Sequence, residues 1–221
     1  MSNISAGLDT VRRDLANTAI AARRDPATIS LIAVSKTHDQ AAVLDTLAAG
    51  QRHFGENRVQ EAAAKFPDLR PRWPDLRLHL IGPLQTNKVR EAVALADVIH
   101  TVDRPKLVAA LVAEMARTQR RPDCLIQVNT GREPQKTGVL PEDADRFIEI
   151  CRAQLPVIGL MCIPPADADP RPHFAMLREI AMRHDLPHLS MGMSGDYKVA
   201  IAEGATFVRV GTAIFGARPQ P

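Results

Sequence analysis

Eight short apolar runs alternate with helical patterns along this chain, and that rhythm narrows the possible folds more than any other feature. The runs fall at 29–34, 52–55, 76–81, 98–102, 124–128, 157–163, 188–193 and 207–210. Between them, apolar residues recur at three- and four-residue spacing over about 40–49, 58–65, 86–95, 105–118, 141–153, 171–184 and 197–203. Short apolar runs bounded by turn residues read as strands, and their alternation with helices reads as parallel βα units. Over 221 residues this is one unit per ~28 residues, the repeat of an α/β fold closed as a (β/α)8 TIM barrel. A doubly wound open sheet is the alternative. Ahead of the first strand, Ile4, Leu8, Val11, Leu15 and Ile20 share one face of a helical pattern across 3–24. An N-terminal helix within 1–25 is therefore expected to pack on a barrel that takes in 1–221 as one domain.

Composition removes several classes of function. Twenty-eight Lys and Arg against 25 Asp and Glu leave a net charge of only +3, and aromatics make up 4% of the chain. Neither a polyanion footprint nor a base-stacking surface is indicated, so no nucleic-acid partner is expected. The densest basic patch, Arg117, Arg120 and Arg121, sits where a helix should end and reads as a solvated terminus complementing the helix dipole. Cys124, Cys151 and Cys162 are odd in number and match no zinc or disulfide spacing, so a reducing, cytoplasmic setting is expected, with no metal. Cys124 and Cys162 fall in or beside apolar runs and read as small buried hydrophobes. Asp9, Arg12, Arg13 and Asp14 break any signal-peptide core, and no run reaches the length of a membrane span.

In a barrel of this kind, chemistry gathers at the C-terminal ends of the strands. Those ends here include Ser35-Lys36-Thr37, Gly55-Glu56-Asn57, Gly82-Pro83-Leu84-Gln85, Asn129-Thr130-Gly131, Met193-Ser194-Gly195-Asp196 and Gly211-Thr212. Lys36 is the one amine that closes a strand. Flanked by Val34 and a barrel rim, it can be partly desolvated, which favours the neutral amine that condenses with an aldehyde; a strand emerging into water is the plain alternative. The last two loops contain glycines whose backbone N–H groups, with the hydroxyls of Ser194 and Thr212, can converge on a phosphate. Arg209 interrupts the last apolar run, and if it points inward it needs an acceptor: a phosphate, a ring nitrogen, or an acid such as Asp103 or Glu56. Lysine, phosphate cradle and arginine together describe pyridoxal 5′-phosphate (PLP) better than a sugar phosphate.

The stretches "AVSKT", "FGENRVQE", "IGPLQTNK", "VNTGREPQKTG", "GLMCIP", "LSMGMSGDYKVAI" and "VRVGTAIFG" run in order along nearly the whole chain. They resemble the pyridoxal phosphate homeostasis family. The resemblance implies a single barrel like the N-terminal domain of alanine racemase, with Lys36 as the Schiff-base lysine. It also implies Ser194, Gly211 and Thr212 at phosphate-loop positions, Arg209 facing the pyridine nitrogen, and Asn57 and Met193 lining the cofactor. A local departure is Leu78 and Leu80 where the family often has aromatics, which questions the packing beside the ring.

An arginine at the ring nitrogen makes a weaker electron sink than an aspartate, and racemisation by two bases also needs an acid/base on the opposite face of the substrate. Tyr197, the sole tyrosine, stands at an expected helix start where packing is the simpler role. With the chain ending soon after the last strand, the cofactor should be open to solvent, which suits storage and delivery better than turnover. The expected function is thus a monomeric, non-catalytic PLP carrier in vitamin B6 homeostasis with PLP-dependent apoenzymes as recipients. A PLP-dependent amino-acid racemase is the runner-up, and a Schiff-base aldolase without cofactor a third class. Lys136 reads as a solvated loop charge or a transient aldehyde acceptor, His79 as a ring neighbour or core histidine, and His38 as a turn residue.

Overall fold

The computed structural model describes residues 3–216. Its eight runs are strands: β1 (Ser30–Val34), β2 (His53–Glu56), β3 (Arg77–Leu80), β4 (Val98–Val102), β5 (Asp123–Gln127), β6 (Val157–Met161), β7 (His188–Ser190) and β8 (Phe207–Val210). They form a closed, all-parallel barrel in chain order. The ring shuts where β8 pairs with β1, from Ser30 opposite Phe207 to Ala33 opposite Val210. The runs expected at 157–163 and 188–193 end as strands at Met161 and Ser190, with Cys162 and Met191 each adding one further bond, to the Ser190 and Phe207 carbonyls.

The helices are α1 (Asn3–Ala21), α2 (Gln40–Ala48), α3 (Val59–Lys65), α4 (Val89–Leu95), α5 (Pro105–Thr118), α6 (Pro141–Arg152), α7 (Arg171–Arg183), α8 (Tyr197–Ala202) and α9 (Thr212–Phe215). Their starts carry local reasons. Asp39 accepts from the Ala42 N–H at 2.9 Å to cap α2, and Pro105 and Pro141 open α5 and α6, where a missing N–H costs nothing. The helix expected at 86–95 begins as a 3-10 turn over Thr86–Lys88 before α4.

Strand alternation divides the core in two. Leu31, Ala33, Cys124, Ile126, Val208 and Val210 face the helices, in one large cluster with Leu47, Phe54, Phe66, Leu111, Met115 and Phe174. Ile32, Val98, Leu125, Met161 and Phe207 form a small separate cluster inside the barrel. Leu78 and Leu80 belong to the outer cluster, while His79 between them takes the inner face.

α1 packs against α2, α8 and α9. Among the described residues the last βα unit supplies the four-residue α9, and α1 packs beside it at the seam where β8 meets β1. Its buried face is Leu8, Val11, Leu15 and Ala19. Ile20, read from the spacing as part of that face, is instead 64% exposed, since Ala19 holds the inward position one turn beyond Leu15.

The basic segment after α5 also differs from expectation. Arg117 pairs with Glu114, but Arg120 crosses to the neighbouring helix and donates to the carbonyls of Val93 (2.7 Å) and Ala96 (3.0 Å) at the end of α4. The three cysteines are buried and free, and burial pushes their thiols up to about 12. Among the described residues, no helix is long and apolar enough to cross a membrane, and no His, Cys, Asp or Glu cluster could hold a metal ion.

Candidate functional site

The segment carrying Lys36 is clamped by side chains from the next βα unit. Past the end of β1, the Ser35 N–H donates to the Gly55 carbonyl (3.1 Å) and the Ser35 hydroxyl to Glu56 Oε1 (2.8 Å). Lys65 Nζ, on the last residue of α3, donates to both the Ser35 carbonyl and Glu56 Oε1 at 2.8 Å. On the far side of Lys36, the Thr37 N–H donates to Glu61 Oε2 (3.0 Å), and Thr37 adopts the left-handed region with φ 67°. Glu56 is fully buried with its Oε2 unpartnered; burial raises its carboxyl above the ordinary range, opposed by Lys65. Lys36 itself is half-buried. The sequence reading missed Lys65, although "GENRVQEAAAK" places it nine residues beyond the strand-ending Glu56.

The two glycine turns lie on the same rim. Gly211 follows β8, and a Cβ there would stand 3.1 Å from the Val34 carbonyl, so its lack of a side chain keeps the turn against the end of β1. Four residues later the Phe215 ring stacks on His38 at 4.9 Å, which gives His38 a packing role beyond its turn. Residues 36–38 and 211–215 are thus neighbours across the β1–β8 seam. One strand over, Gly192 has φ 89° and accepts from the Arg209 N–H (3.0 Å), and Met193 donates its N–H to Asp196 Oδ1 (2.6 Å). Ser194 is exposed on its turn and Thr212 at the start of α9, and Met193 is 40% exposed at the edge of the rim.

Arg209 points inward and is 4% exposed. Its guanidinium donates to Ser190 Oγ (2.6 Å) and the Cys162 carbonyl (2.9 Å). The acids considered as partners are engaged elsewhere: Asp103 pairs with Arg104 and Glu56 with Lys65. Among the described residues no carboxylate forms an ion pair with Arg209, and burial lowers its pKa from the ordinary 12.5. A buried cation held by neutral oxygens alone is costly, and such a site welcomes an acceptor.

Asn57 is half-buried after β2 and, with Leu80, Gly82, Gln85 and Glu61, lines a cavity of about 690 Å³ beside the mouth. His79 is a core residue, fully buried and bonded to His53 and His100 at 2.9 Å. Lys136 is engaged on the loop between β5 and α6, donating to the Pro164 carbonyl (3.1 Å) and pairing with Glu133. Tyr197 is buried against α1, its hydroxyl 3.4 Å from Asp14.

The family described as "Alanine racemase, N-terminal domain" matches residues 9–219. The pyridoxal phosphate homeostasis protein of Pseudomonas aeruginosa is 43% identical over 99% of this chain and 97% of its own length. PipY of Synechococcus elongatus, solved with PLP bound, superposes with a TM-score of 0.82 at 38% identity, covering 96% of this chain and all of PipY. Alanine racemase from Corynebacterium glutamicum shares the fold, with a TM-score of 0.71 at 18% identity, this chain spanning 62% of it. The chain belongs to the alanine racemase N-terminal domain family and, within it, to the pyridoxal phosphate homeostasis proteins.

Proposed function

We propose that this protein holds pyridoxal 5′-phosphate reversibly through the Nζ of Lys36 and thereby buffers the cofactor in the cytoplasm. The observation that supports the reading is that β1, which leads into Lys36, and β8, which leads into Gly211 and Thr212, pair side by side and end on one rim, Gly211 lying against Val34. The name of the P. aeruginosa relative and the PLP bound to PipY support it. When bound, the cofactor supplies an aldehyde, a phosphate dianion and a pyridine nitrogen.

The residues present suit each of these groups. The clamp of Glu56, Glu61 and Lys65 fixes the backbone on both sides of Lys36 and leaves its side chain as the amine directed by that segment. Ser194 and Thr212 supply hydroxyls and turn amides for the phosphate; among the described residues nothing accepts from the Ser194 and Gly195 N–H groups. Arg209, which forms no ion pair with a carboxylate among the described residues, would donate toward the ring nitrogen, and Asn57 and Met193, in the loops after β2 and β7, would line the ring. Permanent charge on Arg209 keeps that nitrogen an acceptor.

The reading extends to a non-catalytic, monomeric carrier whose recipients are PLP-dependent apoenzymes. Racemisation is disfavoured because Tyr197 is turned to Asp14 under α1 and offers no phenol at the mouth. Protein incubated with PLP and reduced with borohydride should carry one label, on Lys36, and Lys36→Ala should lose it. Labelling confined to other lysines, or no incorporation, overturns the proposal. Exchange of the α-hydrogen of alanine in deuterated water, lost in Lys36→Ala, would instead establish the racemase.

A further inference from the structure

Three histidines on consecutive strands run through the middle of the barrel. His53 Nδ1 lies 2.9 Å from His79 Nε2, His79 Nδ1 2.9 Å from His100 Nε2, and His100 Nδ1 2.9 Å from Ser190 Oγ. Ser190 in turn receives Arg209 at 2.6 Å. The line begins at half-buried His53, at the start of β2, and ends beneath the mouth. Phe207 packs beside it, 5.5 Å from the His79 ring and 5.8 Å from that of His100.

Donor and acceptor counting allows one proton order that satisfies every member. The guanidinium is a donor only, so Ser190 Oγ accepts from it. Ser190 is fully buried, and its oxygen has His100 Nδ1 as its other partner, so the hydroxyl proton has nowhere else to go. His100 Nδ1 therefore accepts, and a neutral ring must then carry its proton on Nε2 and donate to His79 Nδ1. The same step repeats from His79 Nε2 to His53 Nδ1. In the reverse order Ser190 would accept twice and leave its own proton buried without an acceptor. In the favoured order every lone pair faces the cation and every proton points away from it, so the dipoles add.

We infer that His100, His79 and His53 are positioning residues that act through Ser190: a polarised chain of neutral Nε2–H imidazoles that steadies the buried charge of Arg209 and aims its remaining donors at the mouth. The chain is no proton conductor, because it terminates in a group that stays charged. Its surroundings agree with neutrality. Burial and the neighbouring charges of Arg209 and His188 keep His100 well below the ordinary imidazole range; burial, His100, His53 and Arg77 do the same for His79. His53 is lowered by burial and Arg77, against Asp97.

The role in cofactor binding rests on the reading above, whereas the proton order does not. Long-range 15N–1H spectra of the cofactor-free protein near neutral pH should show all three imidazoles as Nε2–H tautomers. An Nδ1–H form or an imidazolium at His100 overturns the chain. For the mouth, His100→Leu should weaken PLP binding roughly tenfold to a hundredfold, the scale of a lost hydrogen bond supporting a charge. His100→Asn, whose Oδ1 still accepts from Ser190, should recover most of that. Ser190→Ala, which removes one oxygen, repeats the loss if His100→Leu does not fold. Equal affinity in all three variants overturns the positioning role, while wild-type protein that binds no PLP defeats only the function proposed above.

Discussion

Inside the barrel and outside it, the same strands build two different kinds of core. Between strands and helices the packing is mainly apolar, with Leu47, Phe54, Phe66, Leu111 and Phe174 all but inaccessible, and the buried Glu56–Lys65 pair stands at its edge beneath the rim. Within the barrel, five apolar side chains share the space with His79, His100, Ser190 and Arg209, all buried and hydrogen-bonded. The outer layer is apolar where helices cover it, and its buried ion pair lies where β1 and β2 end. The inner layer opens on the mouth, so its polar groups reach a functional surface while the barrel wall keeps water from their hydrogen bonds. The contrast separates residues that make the barrel stable from residues that prepare its rim.

The largest test breaks the outer layer. Leu111→Ala should cost about 2–5 kcal/mol in urea unfolding, as for a buried leucine with little room to collapse, while leaving PLP incorporation at Lys36 intact. Parallel loss of incorporation would show that the layers are not separable. Next comes the pH response of the inner layer. His79 and His100 have folded pKa values below the ordinary 6.5, so the unfolded chain binds protons that the native state refuses. Stability should fall as pH drops below that value, by about 1.4 kcal/mol per pH unit for each histidine kept neutral. His79→Gln should reduce the slope by one proton and Leu111→Ala should not change it; unfolding midpoints between about pH 7.5 and 5 decide the matter. The smallest effect belongs to neither layer. Ile20→Ser, on the exposed side of α1, should alter stability by less than about 0.5 kcal/mol by thermal unfolding, whereas a larger loss would mean that Ile20 is covered in solution.

Much of this was legible along the chain. Short apolar runs and period-3.6 spacing carry strand and helix type, so all eight strands and the helices between them lie within a few residues of where the apolar pattern put them. Lys36, Gly211 and Thr212 stood out because charge and glycine at strand ends are conspicuous against apolar runs. Ser190 and His100 did not, because a polar residue inside a strand carries no mark of which face it takes or what it meets. Lys65 was hidden for a related reason: on a helix it reads as one more surface amine, and only the turn back onto β1 buries it. Ile20 erred the other way, since helical spacing tolerates two choices of face and the neighbouring helices selected Ala19.

Local residue order thus determined the alternating elements, the barrel they close into and the rim where polar ends collect, because hydrophobic periodicity and turn chemistry act between residues near one another in the chain. Tertiary structure alone decided which side chains share a hydrogen bond across the interior: that the guanidinium of Arg209 bonds neutral oxygens, that three histidines line up behind it, and that Lys65 grips the peptide beside Lys36. Those pairings depend on barrel closure and register, which bring His100 onto Ser190, 90 positions away, and whose geometry no single segment contains.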